Sequence, residues 1–133
     1  MKTLSEIDTT SKRATRSAGF SWGIAEEVGK NMRLLELFGL AGIKNLNKYL
    51  KDYKSKQFQK ISLISDVNEA SKHPFCPIIL GANFIDQVNL LDKKNDIQIS
   101  NIAFPILFLP FVSRASEIIG KKIFLKMDEK EFL

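Results

Sequence analysis

The chain has 133 residues, 44% of them apolar and 26% charged, with a net charge of +5. That composition excludes a disordered chain, and the length suffices to bury a core without disulfides or metals. One cysteine, Cys76, has no partner within the chain, and residues 1–11 hold no apolar signal segment, so a reducing cytoplasm is expected.

The longest apolar run, Ile102–Val112, is about half of the roughly 20 residues that a spanning helix needs, and two prolines interrupt it. It is expected to be buried, and no membrane partner is expected. Charge is uneven: residues 1–60 carry 12 Lys/Arg against 6 Asp/Glu, whereas residues 61–133 carry 8 against 9. Sixteen of the 20 cations are lysines. The series Lys44, Lys48, Lys51, Lys54, Lys56 and Lys60 lacks the arginine forks of a phosphate reader, so it is read as a solvated face and nucleic-acid binding is not expected.

In chain order, a first helix opens near Leu4, with Ser5 as its cap and Asp8 completing an S-x-x-D box. Ile7, Ser11, Ala14 and Ala18 form its inner stripe, and Gly19 stops it. Ser21 caps a second helix from Trp22 to about Phe38, with Ile24, Val28, Met32 and Leu35 inward, ended by Gly39 and Leu40. A third runs from about Ile43 to Tyr53. Lys54–Lys60 is expected to be a loop.

Beyond it, Lys60–Ser65 alternates as a strand. Pro74 and Pro77 argue against an early helix, so "IILG" is expected to be a buried strand before a short helix carrying Phe84, Val88 and Leu91. Asp92–Asp96 reads as a turn, "IQISNIAF" alternates weakly, "FVSRASEIIG" reads as a helix ended by Gly120, and "KKIFLKMD" alternates as a strand. The expected fold is α+β in one domain, 1–133. An antiparallel three-helix part (4–54) packs beside a small mixed or antiparallel sheet with one or two further helices (60–133).

The chemistry-bearing residues are few. His73 and Cys76 are three apart on a proline-bounded loop, where a nucleophile–base pair is possible but an inert buried thiol is the commoner outcome. Glu26 and Glu27 point about 100° apart on a helix, so they are no facing carboxylate pair. A buried ion pair of Glu26 with Arg16 or Arg33 is one expectation, and Trp22 is read as an anchor between the first two helices. No dinucleotide fingerprint, P-loop or nucleophile elbow occurs, and no metal or cofactor is expected.

The segment Lys12–Leu46, with its Gly–aromatic–Ser–Trp–Gly–x–Ala–Glu–Glu box, resembles the opening of an uncharacterised proteobacterial domain family. Phe75–Asp86 and Phe104–Ser116 are similar to that family's later blocks, which adds Asp86 to the candidate residues. The family's members run longer, so the resemblance implies a shortened version. More distantly, Gly39, Gly42, Leu46 and Tyr49 are similar in order to N-terminal helices of the non-Rossmann malate/lactate-type dehydrogenases, without their Ser–His step.

Two functions are expected from this. One is a non-catalytic binding or accessory protein that self-associates or binds a protein partner. The other is a small metabolic enzyme, a diverged relative of NAD(P)-dependent 2-hydroxy acid dehydrogenases. Its small-metabolite pocket would lie by Trp22–Glu27 and His73–Cys76, with Arg16, Arg33 and Asp86 as further candidates.

Overall fold

The computed structural model describes residues 3–94 and 96–123 and divides the chain into two compact units, 1–56 and 57–133. The architecture is α+β: six α-helices and a two-stranded sheet among the described residues.

The first unit is α1 (Leu4–Ser17), α2 (Trp22–Leu37) and α3 (Gly42–Ser55). The cap of α1 is Thr3 rather than Ser5: its hydroxyl accepts the Glu6 N–H at 3.1 Å. Thr3-x-x-Glu6 thus has the spacing of a capping box, two residues earlier than expected. Ser21 caps α2 as expected, accepting from the Ile24 N–H at 3.3 Å.

Both helices end on a glycine in the left-handed region, Gly19 (φ 107°) and Gly39 (φ 75°). After Gly39, the Leu40 N–H donates to the Leu35 carbonyl (2.9 Å) and the Gly39 N–H to the Glu36 carbonyl (3.0 Å). These bonds satisfy carbonyls that a helix end leaves open. The core is Ile7, Phe20, Ala25, Val28, Met32, Leu35, Leu46, Tyr49 and Leu50. Phe20 stacks 4.8 Å from Tyr53, which lies 5.8 Å from Tyr49.

The second unit departs further from expectation. Residues 60–65 form no strand, because side chains satisfy their backbone instead. Asn83 Nδ2 donates to the Ile61 carbonyl (2.5 Å), Gln87 Nε2 to the Ser62 carbonyl (2.6 Å), and Gln87 Oε1 accepts the Ile64 N–H (2.9 Å).

"IILG" belongs to a helix, α4 (Pro77–Asp86). Pro77 occupies its first turn, where a missing N–H leaves no helical bond unmade, and the Cys76 sulfur accepts from the Ile79 N–H. A single turn, α5 (Val88–Leu91), follows. Strands β1 (Val67–Asn68) and β2 (Gln98–Ile99) pair in parallel, not in the expected mixed or antiparallel manner. The helical crossover between them sets the direction, since a tight hairpin cannot return a strand parallel to its neighbour.

A 3-10 turn (Pro105–Leu107) leads into α6 (Leu109–Ile119), which ends before Gly120 as expected. The core gathers Ile64, Phe75, Leu80, Phe84, Phe108, Phe111 and Val112, with Phe84 edge-on to Phe108 at 5.4 Å. "FPILFLPF" therefore lies largely in the core: Leu107, Phe108 and Phe111 are buried. The expected strand over "KKIFLKMD" falls mostly outside the described residues.

Candidate functional site

Five of the candidate residues stand on the first unit. Trp22 opens α2, where it is 57% exposed, so it is no interhelical anchor; Phe20, 4% exposed, fills that role. The Arg16 guanidinium lies over the Trp22 ring at 5.3 Å from its centroid, and Arg16 Nη1 donates to the Phe20 carbonyl at 3.0 Å. Arg16, Glu26 and Arg33 are all exposed, which removes the expected buried ion pair; Glu27 is half-buried. The arrangement clamps a turn.

On the second unit, His73 is exposed whereas Cys76 is fully buried at the start of α4. A thiol sealed from solvent cannot serve as the nucleophile of an open His–Cys pair. Asp86 ends α4 at the surface. Among the described residues, no cluster of three or more His, Cys, Asp or Glu could hold a metal ion. No helix there is long and apolar enough to cross a membrane.

Sequence reasoning missed two features. A cavity of about 360 Å³ opens in the second unit over Phe84, Val88, Phe108 and Val112, with Lys122 and Asp96 at its charged edge. His73, Cys76 and Asp86 do not line it. Two of its lysines are already paired, Lys121 with Asp92 (3.2 Å) and Lys94 with Asp66 (2.7 Å). Elsewhere on α6, away from the cavity lining, burial lowers the pKa of the Arg114 guanidinium, and the neighbouring Glu117 charge opposes that shift. The second feature is a clamp. Gln87 fastens loop 62–64 to the start of α5, and the apolar side chains Leu63 and Leu90 on these segments are 73% and 61% exposed.

Comparison with known families gives a match over residues 2–76 to the family described as protein of unknown function (DUF3726). The chain belongs to this family. The match takes in the Gly19–Gly29 segment and the whole of helices α1 to α3, and reaches Cys76 in the second unit. The DUF3726 match ends before Gly81–Asp86 and Phe104–Ser116. No curated protein and no solved structure matches the chain.

Proposed function

We propose that this protein is a non-catalytic binding or accessory protein of the bacterial cytoplasm that self-associates through its second unit. The carrying observation is the pair Leu63 and Leu90, large apolar side chains left in solvent on two segments that Gln87 ties together. Val67, on the β1 edge, adds a third exposed apolar group. Apolar groups held on a fixed scaffold lose little conformational entropy on docking, which favours association. The buried lone thiol suits a reducing compartment.

Light scattering after size-exclusion chromatography of the full chain tests this reading. A dimer or larger species is expected, and Leu63→Ser with Leu90→Ser converts it to monomer with an unchanged circular dichroism spectrum. A wild-type monomer with no co-purifying protein overturns it.

The cavity over Phe84 and Phe108 favours a second reading, a small-metabolite enzyme. Hydroxy acids, amino acids and nicotinamide nucleotides are the ligands to screen by thermal shift. Stabilisation by one of them that Val112→Trp abolishes would support this reading over the first.

A further inference from the structure

The corner between α2 and α3 brings apolar and basic side chains together. Leu37 and Phe38 are 61% and 72% exposed, and Leu40 also stands in solvent, although the backbone closure around it is complete. The turn is well held. Besides the bonds at Gly39 and Leu40, the Glu36 carboxylate reaches forward to accept the Ile43 N–H at 2.9 Å, capping α3 where Ala41 has no side-chain acceptor to offer. The apolar groups therefore project from a fixed base.

Cations stand on the helix turns that flank them. Arg33 sits one turn before Leu37 on the outer face of α2, and Lys44 and Lys48 occupy the first two turns of α3; all three are exposed. Lys30 and Lys51 continue both rows away from the corner. The acids on these helices leave the corner with a surplus of cations, since Glu36 is the one acid among Arg33, Lys44 and Lys48. Glu36 is engaged at the α3 cap, and Asp52 pairs with Lys56 at 3.3 Å. Glu26 and Glu27 lie at least ten residues before Leu37, about 15 Å along the helix.

We propose that this corner docks on the surface of an anionic lipid bilayer. Leu37, Phe38 and Leu40 enter the boundary between headgroups and acyl chains, and Arg33, Lys44 and Lys48 meet the lipid phosphates. An apolar tip with cations on the adjoining helix turns matches the layered chemistry of that surface, apolar beneath and anionic above. A two-fold contact between copies through the same corner would set Arg33, Lys44 and Lys48 against their own counterparts, which like-charge repulsion opposes.

Sedimentation of the full-length protein with vesicles tests the proposal. Phosphatidylcholine vesicles containing about one-third phosphatidylglycerol should bind it at about 0.1 M salt, whereas phosphatidylcholine alone should not. Lys44→Glu with Lys48→Glu should weaken binding by about 30-fold or more, taking each cation at its usual contribution near a charged bilayer. Phe38→Ser should weaken it about ten-fold through lost apolar insertion. Lys72→Glu with Lys93→Glu changes net charge equally on the second unit and should leave most of the binding intact.

Absence of binding to the anionic vesicles overturns the proposal. So does Phe38→Ser binding like wild type, or the Lys72/Lys93 pair weakening binding as much as the Lys44/Lys48 pair, since either result reduces the effect to net charge.

Discussion

The Arg16 guanidinium covers the Trp22 ring across the α1–α2 turn, 5.3 Å from the ring centroid, and the same side chain bonds the Phe20 carbonyl between them. The aromatic box thus works as a latch on a turn, with Phe20 inside and Trp22 outside. Both latch partners are exposed, so the cation–π contact contributes about 0.5–1 kcal/mol. Arg16→Ala and Trp22→Ala should each lower unfolding free energy by about that amount in urea titrations. The double variant should cost less than the two single changes combined, by about 0.5 kcal/mol. Strict additivity would show that the two side chains do not interact.

Two helix-interior glycines mark close approaches. A Cβ on Gly81 would press into the Phe111 ring, and one on Gly29 would lie 2.8 Å from the Asp8 carbonyl oxygen. Alanine gains about 1 kcal/mol of helix propensity at such positions, but overpacking costs about 1–3 kcal/mol. The Phe111 ring is itself packed in the core and the overlap at Gly81 is the deeper one, so Gly81→Ala should be the more destabilising of the two. Calorimetric melting of both variants measures the order.

Gly39 and Gly23 should respond with opposite signs. Neither would bring a Cβ into contact, but Gly39 holds a φ of 75°. An alanine there should cost about 1–2 kcal/mol, whereas Gly23→Ala in the first turn of α2 should stabilise by about 0.5 kcal/mol. Equal effects at the two sites would contradict the left-handed turn.

Asn68 ties β1 to its surroundings while nearly fully buried. Its Oδ1 accepts the Ser65 N–H at 2.8 Å, and its Nδ2 donates to the carbonyls of Ser65 (2.8 Å) and Gln98 (3.0 Å). Asn68→Ala removes these bonds together with the longer one from the Ser65 hydroxyl (3.3 Å) and leaves the Ser65 N–H without this acceptor, so a loss of about 2–3 kcal/mol is expected. Chemical denaturation gives the number, and a change below about 0.5 kcal/mol would be inconsistent with a buried knot.

Cys76 is fully buried. A disulfide reagent should leave the native protein essentially unlabelled and modify one thiol per chain only when denaturant is added. Rapid labelling of the native state would restore the thiol as a candidate nucleophile.

These residues also show what a sequence discloses. The glycine stops at Gly19, Gly39 and Gly120 and the Ser21 cap were legible because each depends on a few neighbouring residues. The Lys60–Ser65 segment alternates like a strand but is none, because its backbone is satisfied by Asn83 and Gln87, more than 20 positions away, and no local pattern announces such partners. Pro77 reads in the sequence as a helix breaker, yet it is a helix starter, a matter of one position relative to Cys76. The box around Trp22 signalled a tight corner correctly, but which aromatic turned inward depended on Tyr53 in the third helix. The exposed trio Leu37, Phe38 and Leu40 was masked because an apolar residue at a helix stop reads equally as a closing contact.

The parallel pairing of Val67 with Gln98 and Asn68 with Ile99 bears on how the chain acquires its shape. Those partners are about thirty positions apart, so they cannot meet until the intervening helices have shortened the distance, and closing so long a loop is entropically slow. The segment 1–56 is three helices joined by turns of a few residues, and its most extensive packing, α1 on α2, is between sequence neighbours. It is the part that should collapse first after dilution from denaturant, leaving the later half to arrive in a second, slower kinetic phase.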